Sequence, residues 1–365
     1  MKIVEVRCAR LRVPLLTPFK TALRTAHAVE DVVVTLHADT GQVGHGGAAA
    51  TAVITGDTHG SIVEAVRRYI APRVVGAEVA DLNRVVGLVQ GALEKNTSAK
   101  AAVEIALYDL FGQLYGAPLY KLLGGGEPAI ETDVTISVGD AEAMARDALA
   151  ALGRGFRALK VKVGHDVAAD VERVKAVHAA VGGRASLRLD ANQGWAPKQA
   201  VRALRALEDA GVALELVEQP VKARDLEGLK YVTDRVLTPV MADESAFGPA
   251  EALEVMRRRA ADIVNIKLMK AGGISRALQI ADLAAVYGVE CMMGCMLEAG
   301  VSVAAAAHVA AARAGVITKI DLDGPSLCAH DPVEGGAAFA GPRISLADAP
   351  GLGIRAVRGL EPIDA

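Results

Sequence analysis

The sequence predicts an α/β protein whose main part is a modified, TIM-like (β/α)8-type barrel, joined to an α+β capping domain built from both chain ends. Short apolar strands recur every 24 to 28 residues between residues 132 and 321. Segments with helical spacing of apolar residues separate them, and most of the strands end in a polar residue. An open doubly wound sheet is the alternative, but no glycine fingerprint follows an early strand to support it.

The first 125 residues predict the capping domain. Loose apolar alternation predicts a small antiparallel meander, with strands at 3–13, 31–38 and 41–47. Helical spacing then predicts three helices, at 60–75, 81–94 and 98–116. The last helix is predicted to stop at Gly116, because Pro118 lies just beyond it, and residues 122–126 form a glycine-rich linker.

The barrel is predicted over residues 126–328, and its first strand is Thr132–Val138. The seven later strands are predicted to end at Lys162, Asp190, Glu218, Asp243, Lys267, Cys295 and Asp321. The remaining residues, 329–365, are rich in Gly and Pro and contain one strand-like piece at 344–351. They are too short to fold alone, so we expect them to return to the capping domain at 1–125.

Composition excludes several classes of protein. Apolar residues make up 52% of the 365 residues, which is too many for a disordered chain. A net charge of −3 and 3% aromatic residues argue against a nucleic-acid or anionic membrane partner. The longest apolar stretch, Ala299–Ile317, is interrupted by His308 and Arg313 and predicts a buried helix rather than a membrane span. Four cysteines without a CxxC motif, and a charged start without a signal-peptide run, predict a cytoplasmic protein.

Three carboxylates end consecutive predicted barrel strands: Asp190, Glu218 and Asp243. Carboxylates brought this close repel one another unless a cation lies between them. Because all the donors are oxygen atoms, Mg²⁺ is the first choice of ion and Mn²⁺ the second. The alternative is that each acid only caps the helix after its strand.

Lysines flank these acids. Lys160 and Lys162 alternate on one strand, so both side chains point to the same side, and two neighbouring ammonium groups are expected to depress each other's pKa. Lys267 lies four strands further round the predicted barrel. One lysine on each face of a metal-held substrate can remove a proton from one face and return it to the other, at the carbon next to a carboxylate.

Five motifs in this order resemble the enolase superfamily, specifically its muconate-lactonising subgroup. The motifs are KVKVG (160–164), DANQGW (190–195), EQP (218–220), ADES (242–245) and NIKLMKAGG (265–273). The resemblance extends over essentially the whole chain. It implies Asp190, Glu218 and Asp243 as Mg²⁺ ligands, Lys162 and Lys267 as the acid/base pair, and Lys160 as a support for Lys162.

The eighth strand ends in Asp321-Leu322-Asp323. Asp-x-Asp at this place resembles the dipeptide epimerases of the subgroup, in which it binds the substrate's N-terminal ammonium. The alternative is turn chemistry before Gly324-Pro325.

Two further stretches resemble the lids of the family, residues 18–25 and 44–58. Arg24 matches the residue that, in Ala-Glu epimerases, meets the glutamate side-chain carboxylate, while the second lid lacks the acid expected after its Gly-x-Gly. Thr135 and Cys295 match positions that line the substrate pocket.

The sequence therefore predicts an Mg²⁺-dependent dipeptide epimerase, an isomerase that moves a proton at the α-carbon of the C-terminal residue through an enediolate. The expected substrate is L-Ala-D/L-Glu. The alternatives are an epimerase of hydrophobic or cationic dipeptides, an N-succinylamino-acid racemase or a cycloisomerase of the same subgroup, and a non-catalytic binding barrel. We expect a small-molecule substrate and a homo-oligomer, with no nucleic-acid or membrane partner.

Overall fold

An eight-stranded parallel sheet forms the centre of the computed structural model, which describes residues 1–21 and 24–363. Strands that are neighbours in this sheet are consecutive in the chain. They are β5 (Val134–Ile136), β6 (Ala158–Lys162), β7 (Ser186–Asp190), β8 (Leu216–Glu218), β9 (Val240–Ala242), β10 (Ile263–Lys267), β11 (Glu290–Gly294) and β12 (Ile317–Asp321). This order rules out the doubly wound alternative, in which strand order reverses at a switch point.

The first and last strands of this sheet are joined by hydrogen bonds from the segment before β5. The backbone N–H of Asp133 donates to the Ile320 carbonyl at 3.3 Å, and the Leu322 N–H donates to the Thr132 hydroxyl at 2.8 Å. Arg188 strengthens this connection between β5 and β12, since its guanidinium donates to the Asp133 carboxylate at 2.8 Å and to the Ile320 carbonyl at 2.9 Å. The sheet thereby becomes a near-closed barrel.

Helices cover the outside of the sheet. They are α6 (Ala141–Gly153), α7 (Val167–Val181), α8 (Pro197–Asp209), α9 (Leu226–Thr233), α10 (Pro249–Arg258), α11 (Leu268–Ala271), α12 (Ile274–Tyr287), α13 (Gly300–Ala312) and α14 (Gly324–Leu327). Aspartates cap three of them, because the side chains of Asp140, Asp166 and Asp225 each accept a backbone N–H three residues later. Helices α8 and α10 instead begin at a proline, which fits the first helical position.

The N-terminal part forms a second, antiparallel sheet packed against helices. Its strands are β1 (Ile3–Lys20), β2 (Thr25–Ala38), β3 (Val43–Ala49) and β17 (Leu360–Pro362), in the order β17-β1-β2-β3. Its helices are α1 (His59–Glu64), a π-helical segment (Ala65–Ile70), α2 (Ala71–Val74), α3 (Leu82–Gln90), α4 (Thr97–Leu114) and α5 (Leu119–Leu122). The predicted strand 3–13 is therefore too short, because β1 continues to Lys20.

Two glycines let β3 lie directly on α4. A Cβ atom at Gly44 would collide with the carbonyl oxygen of Ala106, and one at Gly46 with that of Ala102. The Gly-x-Gly at the start of the second predicted lid, 44–58, therefore has a packing role.

The end of the chain contains more strands than the single one predicted. They are β13 (Val333–Gly335), β14 (Ala337–Ala340), β15 (Arg343–Leu346), β16 (Ile354–Val357) and β17. Strand β15 pairs with β14 and with the short β4 (Ala129–Glu131), while β17 pairs with β1. Each of these strands is only three or four residues long, which is too short for an alternating apolar pattern to identify it in the sequence.

Buried carboxylates connect the capping elements to the barrel. Asp31 on β2 accepts the backbone N–H of Ala299 at 2.9 Å, at the start of α13. Glu104 on α4 accepts the N–H of Ser275 at 2.5 Å, in the first turn of α12. Because these bonds reach helices beside the barrel mouth, they orient the capping elements over it.

The predicted fold class, a (β/α)8-type barrel with an α+β cap, is confirmed. The alanine-rich stretch predicted as a buried helix is α13, whose residues up to Ala311 are all buried. Across the described residues, every helix is too short or too polar to cross a bilayer.

Candidate active site

The residues singled out in the sequence converge at the carboxyl ends of the barrel strands. A cavity of about 50 Å³ opens there between the barrel and the capping elements. The barrel contributes Thr135, Lys160, Lys162, Asn192, Lys267, Cys295 and Asp323 to its wall, and the capping elements contribute Phe19, Arg24, Thr51, Val53 and Ile54. Asp190, Glu218, Asp243 and Asp321 are buried around these lysines.

Lys162, at the end of β6, is hydrogen-bonded to Asp190 on the neighbouring strand β7. Its ammonium also lies 3.3 Å from the Asn192 amide oxygen. Asn192 in turn donates its backbone N–H to Asp190 at 2.8 Å, and it adopts a left-handed backbone with φ of 42°. A non-glycine residue held in that region indicates a loop whose conformation the surrounding structure imposes.

Lys267, at the end of β10, lies on the other side of the barrel. Its Nζ atom is 2.8 Å from Asp243 Oδ2 and 3.7 Å from Glu218 Oε1. The Nζ atom of Lys270 lies 2.7 Å from the other carboxylate oxygen, Asp243 Oδ1, and also donates to backbone carbonyls. Two ammonium groups therefore neutralise Asp243, and they hold the pKa of this buried carboxyl far below its usual range.

Lys160 contacts the opposite wall. Its ammonium is hydrogen-bonded to Asp321, at the end of β12. Asp323, two residues on, accepts the backbone N–H of Thr135 at 2.7 Å. Both aspartates of the Asp-x-Asp motif are buried, and Asp323 lines the cavity. Burial, and then the charge of Asp321, raises the pKa of Asp323.

Lys160 and Lys267 both have a raised pKa. Burial alone would lower the pKa of Lys160, but Asp321 and Glu218 raise it well above the usual value. Lys267 behaves in the same way, because Asp243 and Glu218 outweigh burial. The prediction that Lys160 and Lys162 depress each other's pKa is therefore wrong for Lys160 in this arrangement.

The pKa values of three other carboxyl groups at the site are shifted, and not all in the same direction. Burial, and then the charge of Asp190, raises the pKa of Glu218 to about 7. Burial and Asp243 raise that of Glu244 to about 8. By contrast Lys160, acting against burial, lowers the pKa of Asp321 to about 2.

The donor set fits a hard divalent cation. Glu218 Oε2 and both carboxylate oxygens of Glu244 are buried without a hydrogen-bond partner among the described residues. The carboxylate oxygens of these acids are ligands of the kind that Mg²⁺ and Mn²⁺ prefer. Within residues 1–21 and 24–363, no three acidic, His or Cys side chains stand close enough to hold an ion as they are. Lys162 and Lys267 are hydrogen-bonded to Asp190 and Asp243, so a cation would compete with these ammonium groups for the same oxygens.

The first predicted lid, 18–25, is partly strand, since β1 includes residues 18–20. Ala22 and Leu23 lie outside the described residues. Arg24 is half-buried, and burial lowers its pKa. Its guanidinium has no ion-pair partner in the described part of the chain. It also borders an adjoining cavity of about 330 Å³, which shares Thr51 and Leu297 with the first.

Several residues at the site were not singled out from the sequence. They are Asn192, Gln219, Glu244, Asn265, Lys270 and Gly294. Asn265 donates to Glu218 Oε1 at 2.7 Å, and Gln219 accepts the backbone N–H of Asp243 at 2.9 Å. All but Gly294 lie inside the five motifs, so their place in those motifs was the available signal.

Two family models account for most of the chain. The mandelate racemase/muconate lactonizing enzyme N-terminal domain matches residues 3–124, and the enolase C-terminal domain-like model matches residues 143–358. The chain therefore belongs to the mandelate racemase/muconate lactonizing enzyme family. The five sequence motifs lie within the second matched segment, and the N-terminal capping elements lie within the first.

Relatives within the family cover nearly the full chain. The L-Ala-D/L-Glu epimerase of Clostridium acetobutylicum is 54% identical over 98% of this chain and 99% of its own. A substrate-liganded structure of the L-Ala-D/L-Glu epimerase from Bacillus subtilis has a TM-score of 0.96 and 49% identity, covering 98% of this chain and 99% of the other. A dipeptide epimerase from Enterococcus faecalis, complexed with Mg and L-Leu-L-Tyr, has a TM-score of 0.94 at 42% identity, covering 97% and 99%.

Proposed function

We propose that this protein is an Mg²⁺-dependent dipeptide epimerase, an isomerase that inverts the α-carbon of the C-terminal residue, with L-Ala-D/L-Glu as its substrate. One observation carries the proposal. Lys162 on β6 and Lys267 on β10, four strands apart, both border the same cavity. The family membership and the relatives' activities support the same reaction.

Lys162 and Lys267 exchange the α-proton on opposite faces of the substrate. One lysine removes the proton, and the ammonium of the other returns one to the opposite face. The residues that hold the cation are Asp190, Glu218 and Asp243. When bound, Mg²⁺ stabilises the negative charge that develops on the substrate carboxylate as the enediolate forms. Lys160 supports Lys162, and its bond to Asp321 keeps it beside the cavity.

The two ends of the dipeptide bind to opposite charges. Asp321 and Asp323 hold the N-terminal ammonium. In support of this role, Asp323 lines the cavity, Asp321 is buried nearby, and Asp321 Oδ1 has no hydrogen-bond partner within the described chain. Arg24 meets the side-chain carboxylate of the second residue. Thr135 and Cys295 line the pocket between them. Burial raises the pKa of the Cys295 thiol well above its usual value, so it acts as a neutral wall.

The test is proton exchange in D₂O. The protein is incubated with Mg²⁺ and L-Ala-L-Glu, and the α-proton of the glutamate is followed by NMR together with the appearance of L-Ala-D-Glu. We expect exchange and epimerisation together. Absence of exchange between about pH 7 and 9, with turnover of N-succinylamino acids instead, would reject the proposal.

A second candidate is an epimerase of hydrophobic or cationic dipeptides. The observation in its favour is that Arg24 borders two cavities. If its guanidinium points into the larger cavity, the substrate side chain has no cationic partner. A library of L-Ala-L-Xaa dipeptides separates the two, since the first candidate requires an acidic Xaa. Two carboxylates at the ammonium end disfavour an N-succinylated or purely anionic substrate.

We further propose a cap formed by 1–125 with 329–365 and a barrel at 126–328, a homo-oligomeric assembly and a cytoplasmic location. The pairing of β17 with β1 supports a cap that uses both chain ends. Chromatography with light scattering on the purified protein tests the assembly.

A further inference from the structure

Glu244 stands apart from the other acids of the site. It follows Asp243 directly at the end of β9, and only 6% of the residue is exposed. Both of its carboxylate oxygens are buried and accept no hydrogen bond within the described part of the chain. Burying a carboxylate without a donor or a counter-charge is unfavourable, so this position requires a compensating interaction.

Lys267 and Lys270 act on Glu244 only through longer-range charge, and no ammonium group of the described residues donates a hydrogen bond to it. Lys162 bonds Asp190 and Asn192, Lys267 bonds Asp243, and Lys270 bonds Asp243 and backbone carbonyls. The carboxyl of Glu244 is nevertheless close enough to Asp243, Asp190 and Glu218 to interact with them electrostatically. An additional acid among three acids increases repulsion unless a cation is present among them.

We propose that Glu244 is a fourth carboxylate of the divalent-cation site. It is a positioning residue that helps to keep the cation in place between Asp190, Glu218 and Asp243. The inference rests on the proposed function for the presence of that cation. Its oxygen donors suit Mg²⁺ or Mn²⁺. The unsatisfied buried carboxylate is therefore a cost of the cation-free protein that cation binding removes.

This role has opposite consequences with and without the cation. Glu244→Gln keeps the size of the side chain and replaces its carboxyl group with a neutral amide that cannot ionise. In the cation-free protein it relieves repulsion, so the melting temperature should stay the same or rise. In the presence of Mg²⁺ it removes a favourable interaction, so the stabilisation by the cation should fall.

The experiment measures the Mn²⁺ dissociation constant by calorimetry, and the melting temperature with and without Mg²⁺. It compares the unaltered protein with Glu244→Gln, Glu244→Asp and the matched control Glu142→Gln, which removes the same charge from a side chain that is 90% exposed. We expect Glu244→Gln to weaken Mn²⁺ binding by about 10- to 100-fold. Glu244→Asp should restore part of that loss, and Glu142→Gln should change nothing.

Three outcomes overturn the inference. The first is Mn²⁺ binding by Glu244→Gln within about twofold of the unaltered protein, against the loss expected for a residue that supports a metal site. The second is an equal fall in melting temperature with and without Mg²⁺, which assigns Glu244 to the fold. The third is a Gln variant that cannot be recovered folded while the Asp variant can. If the unaltered protein itself fails to bind Mn²⁺, the proposed function fails with it, whereas the first three outcomes leave that function intact.

Discussion

Gly294 makes room for Lys267. A Cβ atom at position 294 would lie 3.0 Å from Lys267 Cε and 2.6 Å from the Asn265 amide oxygen. Gly294 is the last residue of β11 and pairs with Lys267 on β10, so the lysine side chain crosses the space where a side chain of its neighbour would be. The absence of a Cβ atom thus allows Lys267 to reach Asp243.

We expect Gly294→Ala to displace Lys267 and to lower kcat about 100-fold, since displacements near 1 Å at reacting groups have effects of that size. KM should change less. The control is Gly87→Ala in α3, where nothing lies within 4 Å of the added Cβ. The control should keep full activity and gain about 0.5–1 kcal/mol of stability, because alanine is the better helix former. Full activity of Gly294→Ala would contradict the assigned position of Lys267.

Removing one lysine should leave half of the reaction. Lys162→Ala and Lys267→Ala should each reduce epimerisation by about 10²- to 10⁴-fold, the usual contribution of a general acid or base. Each variant should still exchange the α-proton of one epimer, the two variants retaining opposite ones. NMR in D₂O with L-Ala-L-Glu and L-Ala-D-Glu measures this. Lys198→Ala, at an exposed position of α8, is the control. Loss of the same epimer in both variants would contradict opposite faces.

Asp323→Asn should weaken binding of the substrate ammonium. Loss of one charge-assisted hydrogen bond is worth about 1.5–3 kcal/mol, so KM for L-Ala-L-Glu should rise about 10- to 100-fold. The amide can still accept the Thr135 N–H, which protects the local fold. N-acetyl-L-Ala-L-Glu, which lacks the ammonium, should be affected little by the change. An equal effect on both substrates would show that Asp323 acts on the fold rather than on the ammonium.

Arg24→Met should change specificity rather than rate. The variant keeps an apolar stem of similar length and loses the guanidinium, so KM for L-Ala-L-Glu should rise about 10-fold or more. KM for L-Ala-L-Leu should stay the same or fall. The matched control is Arg12→Met, which removes a guanidinium from the adjoining cavity that is paired with Glu30. Unchanged KM for L-Ala-L-Glu in Arg24→Met would favour the second candidate function.

Asp31 should make stability depend on pH. Burial raises its pKa from 3.8 to about 8, Ala299 opposes this by donating a hydrogen bond, and Glu298 adds to it. The folded protein therefore keeps a proton that the unfolded chain loses above about pH 4. Stability contributed by this group is present below that pH and declines as the pH rises towards 8.

Asp31→Asn removes this titration, so its free energy of unfolding should fall less between about pH 5 and 8 than that of the unaltered protein. Urea unfolding at a series of pH values measures the difference. Asp147→Asn, at an exposed site on α6, should keep the original slope. An unaltered slope in Asp31→Asn would show that Asp31 is ionised in the folded protein.

The sequence alone determined the barrel and the identity of its strand-end residues. Both depend on local patterns: apolar strands recur at a regular interval, and polar residues mark the ends of those strands. The parallel topology then brings all those ends to one face of the sheet. For that reason the sequence is sufficient to predict which side chains lie together at this face: Lys162, Asp190, Glu218, Lys267 and Asp321.

Only the tertiary structure decided which charges meet. Lys160 contacts Asp321, 161 residues away, and this contact raises its pKa, whereas neighbours on the strand predicted the reverse. Lys270 lies next to Asp243, while the Glu244 carboxylate accepts no hydrogen bond from the described residues. Coulombic energy and desolvation depend on distances of a few ångströms and on burial, and neither quantity is encoded in the spacing of residues along the chain.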